Sequence, residues 1–312
     1  MAKSEMRFGR IAAALAAFGL GAAAPAQQAE TLESICGECR FEKFVSCGKF
    51  LEGINFDRRG HAWAVSLFSG EILEAWEGQC VVRGKTGGRA NGARFHKDGR
   101  LFITDNVKGI VTFDPATGAI ATFADRIGYE PMVNANDLIF DDQGGLYVTV
   151  PGTSHFFERT GRLVYFPAGS DRAMVLADRL AYPNGIAIHP DGKFVTVGLY
   201  ADKTIITLPA ATNLDSRRPP FVRAHTEGGI GPDGMAMDSD GRLYWANFLS
   251  GAVGVTDPRG FPIGYIRLPD EAGRWSTNVA FHDGWLYLTE AAQGDIWRVK
   301  VTTRGQPLYH QQ

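Results

Sequence analysis

From Leu51 onward the chain is written in short apolar runs broken by polar turns, and the pattern recurs six times. Each unit opens on a polar residue, continues as an apolar-rich stretch, turns through a glycine and resumes as a second apolar stretch. In one register the units are Glu52–Gly60, Asn91–Gly99, Asn136–Gly144, Asn184–Gly192 and Asp233–Gly241, with Thr277–Gly284 one turn residue shorter. The second stretches are Ala62–Val65, Leu101–Thr104, Leu146–Thr149, Phe194–Val197, Leu243–Ala246 and Trp285–Leu288. Starting positions 52, 91, 136, 184, 233 and 277 give a mean period of 45 residues. Further turns such as Phe113–Gly118 and Thr256–Gly260 follow, so each unit predicts about four strands. A period of that length built from strands specifies an all-β fold, a six-bladed β-propeller with four-stranded blades around a central channel. A β-helix needs a shorter repeat, and an α-solenoid needs helical periodicity that is not found here.

The first residues follow another pattern. Lys3, Arg7 and Arg10 precede the apolar run Ile11–Ala24, and Ala24-Pro25-Ala26 supplies small residues for cleavage. Residues 1–26 read as a signal peptide, which places the mature chain in the periplasm or outside the cell. Export makes the four cysteines, Cys36, Cys39, Cys47 and Cys80, candidates for disulfides, with three connectivities open. Cys36-Gly-Glu-Cys39 lacks the second CxxC of a zinc ribbon and the βαβ surroundings of a redox motif. The expected organisation is a signal peptide, a Cys-containing segment over 27–49 that packs on the propeller, and the propeller over 50–305.

Composition agrees with a turn-rich β protein: 38 Gly, 15 Pro and 35 aromatic residues in 312. Thirty-two basic against 34 acidic residues give a formal charge of −2. Such a balance offers no footprint for nucleic acid or an anionic membrane surface. A small-molecule partner and a monomeric chain are the default expectations.

The opening residue of every inner strand would face the channel. Glu52, Asn91, Asn136, Asn184, Asp233 and Thr277 (or its neighbour Asn278) therefore form a polar ring at one mouth. Carboxylate and amide oxygens without Cys or His suit a hard divalent cation, most of all Ca²⁺. Mg²⁺, Mn²⁺ or Zn²⁺ are the substitutes considered. The plain alternative is a ring of turn-capping residues holding water.

Tyr182–Gly192, Gly231–Asp238 and Ser276–Phe281 resemble the gluconolactonase / senescence-marker-protein (regucalcin) family. Asn134–Phe140 resembles its third-blade segment and that of squid-type diisopropylfluorophosphatase. The resemblance spans Phe50 to Val301. It implies a six-bladed hydrolase of lactones with a divalent ion at the channel end, and metal ligands Glu52, Asn136, Asn184 and Asp233. Asp233 matches the family's base or nucleophile. Asn91, Val150 and Gly198 depart from the family pattern near the mouth, which bears on substrate more than on metal.

The reading is a calcium-dependent lactonase acting on a sugar-type or related lactone, with Asp233 catalytic. Asn91 and Asn136 are assigned to substrate, together with His155 of the loop Pro151–Phe156, which otherwise reads as a solvated loop histidine. The alternatives are a phosphotriesterase on the same scaffold and a non-catalytic binding propeller. Gly229–Gly234 matches GxGxxG but leads into a strand, and no HExxH or GxSxG occurs. His96 and His189 are expected to face solvent, and Trp63, Trp245 and Trp285 to be core.

Overall fold

The computed structural model describes residues 30–216 and 219–312; the segment 1–26, expected to be a signal peptide, lies outside the described residues. Six four-stranded antiparallel sheets are present among them, each a simple meander except the last. The innermost strands are Leu51–Phe56, Ala90–Phe95, Leu138–Phe140, Pro183–Ile188, Gly231–Met237 and Ser276–His282. Neighbouring inner strands touch in sequence and the sixth returns to the first, which closes the ring.

The sixth blade takes its fourth strand from the other end of the chain. Phe41–Ser46 pairs antiparallel with Asp295–Lys300. Two disulfides follow this seam. Cys47–Cys80 links the end of that strand to the outer strand Gln79–Lys85 of blade one, and Cys36–Cys39 closes a short loop after the helix Leu32–Cys36.

Burial explains why the apolar runs are continuous rather than alternating. The first three strands of a blade are buried almost throughout, as in blade one, and the fourth is largely exposed. Each blade is covered on both faces by its neighbours, so both faces must be apolar. The core is accordingly divided into six clusters, one in each gap between blades. Trp63 joins the gap between blades one and two, and Trp245 that between four and five. Trp285 is half-buried, with the Arg298 guanidinium 4.4 Å above its ring.

The turns after the inner strands carry Asp57, His96, Asp141, His189, Asp238 and His282, aspartate and histidine in alternation. Each aspartate caps its own turn: Asp141 Oδ1, for example, accepts from the Gln143 and Gly145 amides. Its other oxygen accepts from the Tyr165 hydroxyl at 2.9 Å. His96 and His189 do not face solvent as expected. His96 packs against Phe102, Phe140 and Tyr309, and His189 is hydrogen-bonded to Thr196 at 2.9 Å. The C-terminal segment brings Tyr309 there. It runs beneath the blades, with Gly305 bridged to Asp238, Gln306 donating to the Met237 carbonyl, and Arg58 donating to the carbonyl of buried His310.

Candidate functional site

The ring positions sit on irregularities of the sheet. In blade one the pairing steps from Glu52↔Val65 to Asn55↔Trp63, so one extra residue is accommodated in the inner strand. The same slip occurs at Ala90/Ala93, Pro183/Ile186 and Pro232/Met235, with a comparable one at Ser276/Asn278. Such β-bulges redirect a side chain out of the regular pleat, here toward the channel.

Close approach of the next blade fixes the residue that follows. Gly53, Gly92 and Gly185 leave no room for a side chain, because a Cβ would strike the backbone carbonyl of Asn91, Asn136 or Asp233 respectively. A Cβ at Gly234 would strike the Asn278 side chain. In blade three Thr149 pins the approach to the inner strand from behind. Its hydroxyl accepts from the Asp137 amide at 3.0 Å and donates to the Asn184 carbonyl of the next blade at 2.6 Å.

Two blades break the glycine rule; sequence reasoning passed over Asp137 and held Asn278 as the alternative to Thr277. Asp137 and Asn278 occupy the position that is glycine elsewhere. Both are buried in the channel, 1% and 2% exposed. Asp137 accepts from the Leu138 amide at 2.9 Å and lies within reach of the Ile186 amide. Thr277, by contrast, turns its hydroxyl to the Leu51 carbonyl at 2.7 Å and serves the blade seam; Asn278 faces the channel. The exceptions to the glycine that follows each ring residue were the available signal.

Glu52, Asn91, Asn136, Asn184 and Asp233 all lie 4–6% exposed at the same level of their strands. The Asn184 side chain hydrogen-bonds the Asp233 carboxyl. Asn91 donates to Asn106 Oδ1 at 3.4 Å. His155 is placed in an exposed loop, where its neighbours are Glu158 at 3.5 Å and Phe157.

Burial raises the Glu52 carboxyl well above its usual range, and the charges of Asp233 and Asp137 push it further. Asp233 is raised by burial and then by Asp137, while Asn184 opposes the shift. Burial also raises Asp137, against the pull of the Arg94 guanidinium. Arg94, itself 5% exposed, donates to the carbonyls of Ile54 and Ala93 and lines a cavity of about 320 Å³ in the lower channel. Glu52 Oε2 and Asn278 Oδ1 are buried and have no hydrogen-bond partner among the described residues.

The Arg94 guanidinium thus offsets Asp137, while Glu52 and Asp233 remain mutually opposed and Glu52 Oε2 is left without a donor. An oxygen-only set of two ring carboxylates and two ring amides fits a hard divalent cation, which would relieve that repulsion. A second acidic cluster, Asp57, His61 and Glu74, brings its ligand atoms within 4.8 Å of one another. It lies at the far end of the inner strand, about 15 Å from the ring at the usual rise per residue. Arg59 already touches Asp57 at 2.7 Å and Glu74 at 2.6 Å, and Arg83 adds a contact at 3.3 Å. That cluster is an ion-pair network with its own cations.

Residues 52–292 match a family model described as SMP-30/Gluconolactonase/LRE-like region. A curated relative, Lactonase drp35 of Staphylococcus aureus (strain MRSA252), is 28% identical over 232 residues, 71% of each chain. A gluconolactonase structure from Xanthomonas campestris superposes with a TM-score of 0.74 at 21% identity, over 86% of this chain and 92% of that one. A calcium-binding regucalcin from Agrobacterium tumefaciens gives 0.72 at 22% identity, over 85% and 98%. At these identities the two structures establish a shared fold.

Proposed function

Since the chain belongs to the SMP-30/gluconolactonase/LRE-like family, we propose that it is a divalent-metal-dependent lactonase, with Ca²⁺ held by Glu52, Asn136, Asn184 and Asp233. The observation that carries the reading is the buried pair Glu52 and Asp233, whose charges oppose one another while Glu52 Oε2 lacks a partner. The names of the relatives, lactonase and gluconolactonase, favour lactone opening over phosphotriester hydrolysis or mere binding. Pairing of all four cysteines supports export to an oxidising compartment. Among the described residues no helix is long and apolar enough to cross a membrane.

The chemistry a bound divalent ion supplies is Lewis-acid polarisation of a carbonyl oxygen. The chain's own residues do the rest. Asp233, oriented by the Asn184 amide, accepts a proton from water as the water oxygen bonds to the lactone carbonyl carbon. The ring C–O bond breaks, and the proton passes to the departing alkoxide to give the hydroxy acid. Asn91 and Asn136 present amide groups to the substrate at the mouth, with His155 at the rim.

A pH-indicator assay over a panel of lactones, with and without EDTA, tests the reading. Wild-type turnover should vanish with chelator and return with calcium. Asp233→Asn should keep the fold and lose about a hundredfold or more in kcat. Near wild-type turnover by that variant would remove Asp233 from the mechanism.

A further inference from the structure

Two residues before the ring positions stand Phe50, Arg89, Asn134, Tyr182, Gly231 and Trp275, at or just ahead of the start of each inner strand. Three of the six are aromatic, and rings from the ends of the second strands join them into a continuous arc. Phe68 lies 4.8 Å from Phe50, Phe50 5.8 Å from Trp275, and Trp275 6.1 Å from Phe248. Phe248 is 6.2 Å from Tyr200, and Tyr200 5.5 Å from Tyr182. The arc crosses blades one, six, five and four. Phe68 and Trp275 remain 65% and 40% exposed, although nothing polar requires flat apolar rings to stand at this mouth.

The other two blades are polar. Arg89 stands over the Phe68 ring at 5.4 Å, and the Asn134 side chain bonds the Tyr182 hydroxyl. At Gly231 a Cβ would meet the Tyr200 carbonyl, so glycine there lets the arc pass blade five unbroken. The arc overlooks the ring directly. Burial, and then the charges of Asp233 and Glu52, raise the Tyr200 hydroxyl, which sets this end of the arc beside the ring.

A polyhydroxylated lactone needs hydrogen-bond partners on most sides of its ring. This mouth offers π faces on four blades and polar groups on two. We infer that the preferred substrate is a lactone fused to, or substituted with, a flat apolar group, which lies on the Trp275–Phe248–Tyr200 side. This rests on the lactonase reading and names its substrate class as aryl or apolar rather than sugar-type.

The test compares kcat/KM for an aryl-fused δ-lactone and glucono-δ-lactone with the calcium-loaded protein. The wild type should favour the aryl lactone by about tenfold or more, the scale on which apolar pockets discriminate. Trp275→Ala should cut that ratio about tenfold, and Trp275→Phe should restore most of it. A preference for the gluconolactone, or a ratio that Trp275→Ala leaves unmoved, overturns the inference. If neither lactone is hydrolysed, the lactonase reading falls and binding decides the rim separately. The matching aryl lactam, titrated calorimetrically into metal-free protein, should bind, and Trp275→Ala should weaken it about tenfold. Absent or unaltered lactam binding overturns the proposal.

Discussion

Gly185 and Gly192 lie in one repeat and are glycine for opposite reasons. Gly192 has φ +67° and open space around it, so its demand is conformational. Gly185 has no such φ, but a Cβ would strike the Asp233 carbonyl of the next blade. Gly192→Ala should cost about 1 kcal/mol, the strain of a left-handed residue. Gly185→Ala should cost about 3 kcal/mol, because backbone must move at the ring. Denaturant melts of the two variants, with calcium titrations, would show it; equal costs would contradict the packing account. Among the titrating residues, burial lowers His189 and His310 to about 4. An unfolded histidine takes up its proton near 6.5, so between about 6.5 and 4 the unfolded chain holds more protons. Stability is therefore full above that window and drains as pH falls through it, by about 1–3 kcal/mol per histidine. The His189→Gln/His310→Gln double variant should show a flatter loss between pH 6.5 and 4 in chemical denaturation.

At the scale of the strand, a bulge does what a regular pleat cannot, and in blade three Thr149 instead ties the inner strand across a blade boundary. Thr149→Val keeps the shape but leaves the Asp137 amide and the Asn184 carbonyl without that partner. It should cost about 2 kcal/mol and weaken calcium binding, read by thermal melts and metal titration. An unchanged metal affinity would make the clamp purely structural. This is also where the sequence stopped being readable. The spacing of polar residue and turn glycine marked every inner strand, because each blade solves the same packing problem. Asp137 stayed hidden, and the choice between Thr277 and Asn278 stayed open, because side-chain direction there depends on how the inner strand meets the next one, as in the slip at Ser276/Asn278. The aromatic arc was missed for a related cause: Phe248 of blade five meets Trp275 and Tyr200 only after the blades are assembled. His96 and His189 were misplaced because their cover comes from elsewhere in the fold, Tyr309 of the C-terminal segment over His96 being one example.

Taken whole, the molecule has six interfaces of equal kind and one seam, between Phe41–Ser46 and Asp295–Lys300. Cys47–Cys80 anchors the N-terminal strand of that seam to blade one, over a separation of 33 residues. Losing that loop constraint should cost about 3–4 kcal/mol, whereas the three-residue separation of Cys36–Cys39 is worth about half as much. Paired Cys→Ser variants compared by urea denaturation would separate the two; equal losses would mean the anchor to blade one adds nothing beyond a short loop. The seam also sets a schedule. Phe41–Ser46 leaves the ribosome before any blade exists, yet its partner is among the last strands to be made. The order of synthesis and the order of completion run opposite ways, so the earliest strand must wait, unpaired, for nearly the whole chain. Ring closure is then a single late event of high contact order, and until it occurs the edge of the sixth blade stands open.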